Sequence, residues 1–204
     1  GFGHNEHPPA PKRDFNKTLD LKALQDTALA LLKDTRKLKG PDAVQVEKLM
    51  LLGTSMGGMR PKAVVEDGKG LWIAKFNKPD DRWNTARVEH AMLLLAARCG
   101  ITAAESRVVK VGDRDVLLVK RFDREKTKAG YLRARMVSGL TLLRAEDATA
   151  ERANWSYPAL AEELRRACAA SREAAHELFR RMVFNALISN TDDHPRNHAI
   201  IARE

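Results

Sequence analysis

The run NTDDHPRNH at residues 190–198 carries a carboxylate and an amide at a spacing that suits phosphoryl transfer. Asn197 follows Asp192 by five positions. In enzymes with this spacing, the carboxylate takes the proton of an attacking hydroxyl, and the amide holds a magnesium ion that bridges nucleotide phosphates. The same offset selects Asp192 over Asp193 as the base. We therefore expect Asp192 to be catalytic and Asn197 to bind Mg²⁺.

The two histidines of this run allow a different interpretation, a zinc site. His194 and His198 stand four positions apart, and on a helix this spacing would direct both rings toward one metal ion. Pro195 and Asn197 disfavour a regular helix, and no glutamate completes an H-E-x-x-H arrangement. Zinc is therefore the weaker hypothesis. We expect His194 instead to hydrogen-bond the loop backbone and orient Asp192.

A glycine-rich segment upstream has the composition of a phosphate-binding loop. Residues 53–62 read GTSMGGMRPK and stand directly before a predicted strand. Phosphates need unobstructed backbone N–H donors, and glycines such as Gly57 and Gly58 let the chain come close to them. The segment lacks the G-x-x-x-x-G-K-[ST] spacing, so it is not a Walker-type loop. Taken alone, it fits a plain turn better than a binding site.

A lysine and a glutamate follow in the order that a kinase would place them. Strand alternation in LWIAKF puts Lys75 on one face with Ile73 and Asn77, and a kinase carries its phosphate-binding lysine on the strand after the glycine-rich hairpin. Glu89 lies on the apolar stripe of the next predicted helix, where a carboxylate is expected to be paired. We predict a Lys75–Glu89 ion pair; an outward-pointing lysine and a solvated glutamate are the alternatives.

The periodicity of the rest of the chain predicts an α+β fold. Residues 1–19 are rich in proline and polar residues and are typical of a flexible arm. Strands are predicted at residues 63–65, 71–74, 107–111 and 116–119. Helices are predicted from Asp20 to Gly40 and at residues 84–99, 159–170 and 172–189. This order matches a β-rich kinase lobe with a leading helix over residues 20–119, then a hinge and the first helices of a second lobe over residues 120–204.

Composition narrows the class of protein. A formal net charge of +9 and a sequence pI near 9.8 favour nucleic-acid binding, but the basic residues are scattered and are more simply solvated surface positions. No run of about 18 apolar residues occurs, so a membrane span is not expected. Cys99 and Cys168 form no C-x-x-C pair and fit a reducing cytoplasm.

Four segments together resemble the HipA family, bacterial Ser/Thr protein kinases best known as toxins of toxin–antitoxin pairs. These segments are GGMRPKA with LWIAKF, VEHAMLLLAARCGI, LLVKRFDR and FRRMVFNALISNTDDHPRNHAI. The resemblance covers about residues 53 to 201 and keeps the motifs in the family's order. It implies a two-lobed, protein-kinase-like fold that uses ATP with magnesium.

The resemblance also implies roles for individual residues. Lys75 would bind the ATP phosphates, Asp192 would be the catalytic base and Asn197 the Mg²⁺ ligand. Ser55 falls on the family's autophosphorylation serine, whose modification inactivates the kinase by displacing the nucleotide loop. Phe122 would lie against the adenine base in a hinge. The full set of residues expected at the nucleotide site is Ser55, Gly57, Gly58, Lys75, Glu89, Lys120, Phe122 and His194.

Substrate and partner follow from the same resemblance. The family phosphorylates an aminoacyl-tRNA synthetase and pairs with a helix-turn-helix antitoxin, so DNA would be contacted only through that antitoxin. Two features depart from the family pattern: the small N-terminal subdomain is not recognisable, and no aspartate follows Asp193 to complete the magnesium site. We therefore expect part of a HipA-like kinase, with little or no activity alone. The alternatives are a kinase-fold phosphotransferase for a small molecule and a non-catalytic regulatory or nucleic-acid-binding fragment.

Overall fold

The computed structural model describes five segments of the chain: residues 16–17, 20–33, 60–128, 130–146 and 155–202. The chain divides into two compact units, residues 1–93 with 104–132 and residues 94–103 with 133–204. A five-stranded, mainly antiparallel sheet, two two-stranded sheets and separate helices make up the described part, which confirms the expected α+β class.

A five-stranded sheet is the framework of the first unit. Its strands are β1 (Asn16–Lys17), β2 (Lys62–Asp67), β3 (Gly70–Phe76), β4 (Ser106–Val111) and β5 (Arg114–Lys120). They are arranged in the order β1-β2-β3-β5-β4, with β1 parallel to β2 and the other neighbours antiparallel. The four strands predicted from the sequence are confirmed, and they form two hairpins, β2–β3 and β4–β5. The second turns at Gly112, whose φ of +59° favours glycine.

Alternation along β3 separates the side chains that enter the core of the first unit from those that point away from it. Trp72, Ala74 and Phe76 are buried and belong to the same apolar cluster as Leu24 of helix α1 (Leu21–Lys33). Burying a large apolar side chain contributes about 1.5–3 kcal/mol, so the register of this strand is strongly fixed. Because successive side chains point to opposite faces, that register directs Lys75 away from the cluster.

Helix α2 (Thr85–Arg98) follows β3 and confirms the helix predicted at residues 84–99. Asn84 accepts the backbone N–H of Arg87 at its Oδ1 atom, over 3.2 Å, and so satisfies a free donor of the first turn. The helix ends before Gly100, which adopts a φ of +76° that few other residues tolerate. Between these two signals Glu89 is fixed in the second turn.

Three short strands occupy a stretch for which the sequence predicted no elements. Strands β6 (Arg124–Thr127) and β7 (Gly130–Arg133) form a two-stranded sheet, and β8 (Arg135–Ser138) follows. Charged residues are frequent in these strands and none of their side chains is buried. Since no apolar alternation marks them, pattern analysis had little to detect.

The second unit is mainly helical. Its helices are α3 (Gly139–Leu142), α4 (Tyr157–Ala167) and α5 (Ser171–Leu187), followed by a 3-10 turn (Pro195–Asn197) and strand β9 (Ala199–Ala202). Leu160 and Leu164 of α4 pack with Leu178 of α5 in its core. The helices α4 and α5 correspond to the two predicted at residues 159–170 and 172–189. None of the described helices combines the length and apolarity needed to cross a bilayer.

Residues 190–198 are held at both ends in this unit. They leave α5 and enter β9, which pairs antiparallel with β8 so that Ser138 lies opposite Ala199. The next residue, Gly139, donates its N–H to the His198 carbonyl over 2.7 Å. A Cβ atom at Gly139 would approach the Pro195 carbonyl oxygen to 2.7 Å, so only glycine permits this approach. The loop is therefore fixed by backbone contacts.

Candidate active site

The first unit brings Lys75 of β3 and Glu89 of α2 together as predicted. Lys75 Nζ donates a hydrogen bond to Glu89 Oε1, and the two charged groups form an ion pair. Both side chains are partly exposed, so the pair stabilises the fold by no more than about 1 kcal/mol. Its larger effect is to hold the ammonium in one orientation, which a phosphate-binding lysine requires.

A second lysine lies beside this pair. Lys62 of β2 stands opposite Lys75 in the β2–β3 register. Burial lowers the pKa of Lys62, and the positive charge of Lys75 lowers that pKa further. Two neighbouring ammonium groups produce a positive potential that favours anionic phosphates. Sequence analysis missed Lys62, although counting back from a hairpin turn between Asp67 and Gly70 would have placed it opposite Lys75.

Arg60 ties the end of the glycine-rich segment to the start of α2. Its guanidinium donates to both carboxylate oxygens of Asp81, over 2.6 and 2.9 Å, and to Thr85 Oγ1 over 3.0 Å. The hydrogen bonds from Arg60 hold the pKa of Asp81 below its ordinary value although burial opposes them. The bidentate geometry makes this one of the stronger pairs of its type. No sequence signal had indicated it.

The segment after β5, expected to be the hinge, contains a compact ionic cluster. Asp123 accepts hydrogen bonds from Arg121 and Arg124. Burial alone would raise the pKa of Asp123, but the hydrogen bond and charge of Arg121, with the charge of Arg124, lower it overall. Lys120 Nζ donates to Glu105 Oε2 over 2.8 Å, and Phe122 is 52% exposed.

In the second unit, a hydrogen bond within the NTDDHPRNH loop joins Asn197 to Asp192. Asn197 Nδ2 donates to the backbone carbonyl oxygen of Asp192 over 2.6 Å. The Asp192 N–H donates to Asn190 Oδ1 over 3.2 Å, while the Asp192 side chain is 86% exposed. Within the described residues Asn197 Oδ1 accepts no hydrogen bond. An exposed carboxylate and a free amide oxygen are hard oxygen donors that suit Mg²⁺.

His194 lies beside the proposed base. We expected its ring to hydrogen-bond the loop backbone, but among the described residues it makes no such bond. Its Nε2 atom is 3.4 Å from Asp192 Oδ1. Its Nδ1 atom is buried and has no hydrogen-bond partner among the described residues. His194 therefore lies near the carboxylate of Asp192 rather than bonding the loop backbone, and its role in orienting Asp192 stays a prediction.

Asp193, the neighbour that the spacing rejected as base, anchors the loop. Its carboxylate accepts hydrogen bonds from the Tyr157 hydroxyl, from Asn185 Nδ2 over 2.9 Å and from His198 Nε2 over 2.7 Å. Its side chain is only 13% exposed. Three donors, from α4, α5 and the end of the loop, engage this carboxylate, so Asp193 holds the loop against both helices. The sequence offered no signal for Tyr157.

The described part of the chain contains no group of three or more His, Cys, Asp or Glu side chains arranged to hold a metal ion. His198 is turned to Asp193, and the 3-10 turn between the two histidines replaces the helix that a zinc pair would need.

Of the residues expected at the nucleotide site, Ser55, Gly57 and Gly58 lie outside the described residues. A polar cavity of about 380 Å³ near Trp83 and Lys110 is lined by neither Lys75 nor Glu89.

Comparison with known proteins adds a family and a fold. The family model described as HipA-like C-terminal domain matches residues 54–204. HipA in the complex of the Shewanella oneidensis MR-1 toxin–antitoxin system with HipB and operator DNA superposes with a TM-score of 0.68 and 19% identity, over 97% of this chain and 49% of that chain. The Helicobacter pylori proinflammatory kinase CtkA gives a TM-score of 0.53 and 16% identity, over 72% of this chain and 53% of that chain. No curated protein matches the chain.

The two structural likenesses show a shared kinase-like fold and so confirm the fold expected from the sequence. The chain spans about half the length of each of these two solved proteins.

Proposed function

Because the chain belongs to the family of HipA-like C-terminal domains, we propose that it carries the nucleotide-binding and catalytic-loop residues of a HipA-like Ser/Thr protein kinase. One observation carries this proposal: the amide of Asn197 is held 2.6 Å from the Asp192 backbone oxygen while the Asp192 carboxylate is exposed. That arrangement leaves the Asp192 carboxylate and the Asn197 amide oxygen open, which supports roles in proton acceptance and metal binding.

In the first unit, Lys75 binds the ATP phosphates and Glu89 keeps its ammonium in place. Lys62 adds positive charge on the adjacent strand. Phe122 packs against the adenine ring at the hinge, next to Lys120, and the segment with Ser55, Gly57 and Gly58 covers the phosphates. The resemblance to HipA proteins supports these last roles, together with the aromatic exposure of Phe122.

In the second unit, Asp192 acts as the base. Its exposed carboxylate takes the proton from a serine or threonine hydroxyl as that oxygen bonds to the γ-phosphorus, and the bond from the γ-phosphorus to the ADP oxygen breaks. His194 beside the carboxylate restrains its orientation. A Mg²⁺ ion bound at Asn197 Oδ1 would neutralise phosphate charge. Asp193 fixes the loop backbone, so that Asp192 is held in position for the attacking hydroxyl before the substrate binds.

We propose a protein acceptor, with an aminoacyl-tRNA synthetase as the first candidate, and a helix-turn-helix antitoxin as partner. The HipA protein of similar fold is seen in a complex with HipB and operator DNA, which supports an antitoxin here. Any contact with DNA would then be made through the antitoxin. Many basic side chains of this chain are already paired with carboxylates, for example Arg60, Arg107 and Arg165, so charge alone is a weak argument for direct DNA binding.

Nucleotide binding and phosphotransfer test the proposal separately. We expect the 204-residue chain to bind an ATP analogue but to show little turnover, because no aspartate follows Asp193 in these residues to hold a second metal ion. The product of the complete reading frame, incubated with labelled ATP, is expected to modify purified aminoacyl-tRNA synthetases at serine or threonine. Label transfer only to small molecules would favour the other phosphotransferase class. Absence of nucleotide binding by both polypeptides would overturn the proposal.

A further inference from the structure

The polar cavity of about 380 Å³ lies wholly within the first unit. It is bounded by the segment that follows β3, by the residue that caps α2 and by the turn between β4 and β5. Its volume falls within the range of small-molecule sites, about 300–1,000 Å³. Because none of the residues proposed for ATP binding or catalysis lines it, the proposed function leaves this cavity without a role.

Two of the three carboxylates that line the cavity are already compensated by arginine side chains. Asp81 accepts the bidentate hydrogen bonds of Arg60. Asp115 is only 5% exposed, and its Oδ2 atom accepts hydrogen bonds from Asn84 Nδ2 and Arg87 Nε, each over 2.6 Å. A fully satisfied polar network of this kind is rigid. The carboxylate wall therefore keeps its shape without a ligand and carries little free negative charge.

The three cations that line the cavity are much less engaged. Lys110 Nζ comes no closer than 3.8 Å to Asp115, and Arg114 Nε lies 4.0 Å from the third carboxylate, that of Asp113, which is 94% exposed. Lys78 Nζ makes no ion pair within the described residues. Three available cations against one exposed carboxylate give the cavity a positive potential, which favours an anionic ligand.

Trp83 adds an aromatic surface to the same cavity. Its side chain lines the cavity and is 62% exposed. An exposed indole offers a flat face on which a planar ring stacks, and such stacking is tolerant of the identity of the ring. An aromatic face beside available cations is the combination that binds a base together with its phosphate.

We propose that this cavity binds a small anion that carries an aromatic ring, with the chemistry of a mononucleotide. Trp83 would stack on the ring, and Lys110, Arg114 and Lys78 would hold the anionic group. The site is separate from the proposed ATP site, since it is lined by neither Lys75 nor Glu89. It requires no phosphotransfer and is independent of the proposed function.

Equilibrium dialysis of the 204-residue chain with labelled uridine monophosphate tests the proposal. This probe lacks the adenine ring expected at the ATP site. Trp83→Ala should raise its Kd at least about fivefold, because a stacked ring is lost. Lys110→Met should raise the Kd roughly tenfold, because a charged hydrogen bond is lost. Lys69→Met, which removes an equal charge from the other hairpin turn, is the matched control and should leave the Kd unchanged. Far-UV circular dichroism checks that each variant folds.

Two further comparisons define the site and its ligand. Lys75→Met should leave the affinity for uridine monophosphate unchanged, because Lys75 does not line the cavity. Uridine and inorganic phosphate should each bind at least about tenfold more weakly than the nucleotide, since each lacks one of the two groups that the cavity recognises. The indole N–H resonance of Trp83, assigned by its absence in Trp83→Ala, should shift saturably with the nucleotide.

Four outcomes overturn the proposal. They are no binding of uridine monophosphate, an equal loss of affinity in Lys110→Met and Lys69→Met, an unchanged Kd in Trp83→Ala, and inorganic phosphate that binds as tightly as the nucleotide. A loss of binding in Lys75→Met alone also contradicts it, because the probe would then occupy the proposed ATP site. A failure of the chain to bind an ATP analogue at Lys75 or to transfer phosphate would change none of the expected results.

Discussion

Asn197 donates a 2.6 Å hydrogen bond from its side-chain amide to the backbone carbonyl oxygen of Asp192. One amide group therefore fixes the backbone of the proposed base and leaves its own oxygen available for a cation. The contact also explains the five-residue offset in physical terms. The 3-10 turn at Pro195–Asn197 returns the chain so that position 197 meets the carbonyl of position 192.

Asp192→Asn should strongly reduce phosphotransfer without affecting folding. Loss of a general base reduces kcat by about 10²- to 10⁴-fold. Because the side chain is 86% exposed, the free energy of unfolding should change by less than about 0.5 kcal/mol. Steady-state kinetics of the complete gene product and denaturation of the 204-residue chain provide the two measurements. Unchanged kcat would show that another group accepts the proton.

Asp193→Ala should have the opposite profile, a large loss of stability. The substitution leaves the Tyr157 hydroxyl, the Asn185 amide and the His198 ring without their acceptor. We expect the free energy of unfolding to fall by about 2–4 kcal/mol, measured by urea denaturation of the 204-residue chain. Asp192→Ala is the matched control one position away. Equal losses in the two variants would contradict the anchoring role of Asp193.

Lys75→Met should weaken ATP binding while the fold persists. A hydrogen bond to a charged phosphate contributes about 1.5–3 kcal/mol, so the Kd of a fluorescent ATP analogue should rise roughly 10- to 100-fold. Lys69→Met, in the turn of the same hairpin, removes an equal charge from an exposed position and serves as the control. If both variants raise the Kd equally, the positive potential of the unit, rather than Lys75 itself, binds the nucleotide.

The Arg60–Asp81 pair should make the first unit sensitive to acid. Hydrogen bonds from Arg60 hold the pKa of Asp81 below its usual value, which is about 3.9 in an unfolded chain. The pair therefore stabilises the folded state fully above about pH 4, and this contribution is lost as pH falls through the lower folded-state pKa. Asp81→Asn should lower the thermal midpoint at pH 7, and the difference from the parent should shrink toward pH 3.

The exposed neighbour Asp80 provides the control for this acid effect. Asp80→Asn keeps the hydrogen bonds that Asp81 makes with Arg60 and Thr85, so its midpoint should follow that of the parent over the whole pH range. A difference between Asp81→Asn and the parent that stays constant from pH 7 to pH 3 would contradict the assignment.

Periodicity was sufficient for the elements with strong apolar signals. Alternation in β3 predicted both the strand and the face of Lys75, and the helix predicted at residues 84–99 agrees with α2. Strands β6 to β8 were missed because none of their side chains is buried, so no apolar alternation marks them. For α5 the pattern predicted a helix, but it could not distinguish the row that packs, at Leu178, from the row that remains exposed.

The sequence by itself identified the candidate catalytic residues. The five-residue offset selected Asp192 and Asn197, and the order of motifs selected Lys75 and Glu89. These are local signals, since they depend on spacing and strand alternation. Only the tertiary structure showed that Asp193 binds Tyr157 and that Arg60 binds Asp81. Each of those contacts joins residues more than 20 positions apart, and chain folding, rather than any local pattern, determines which distant side chains meet.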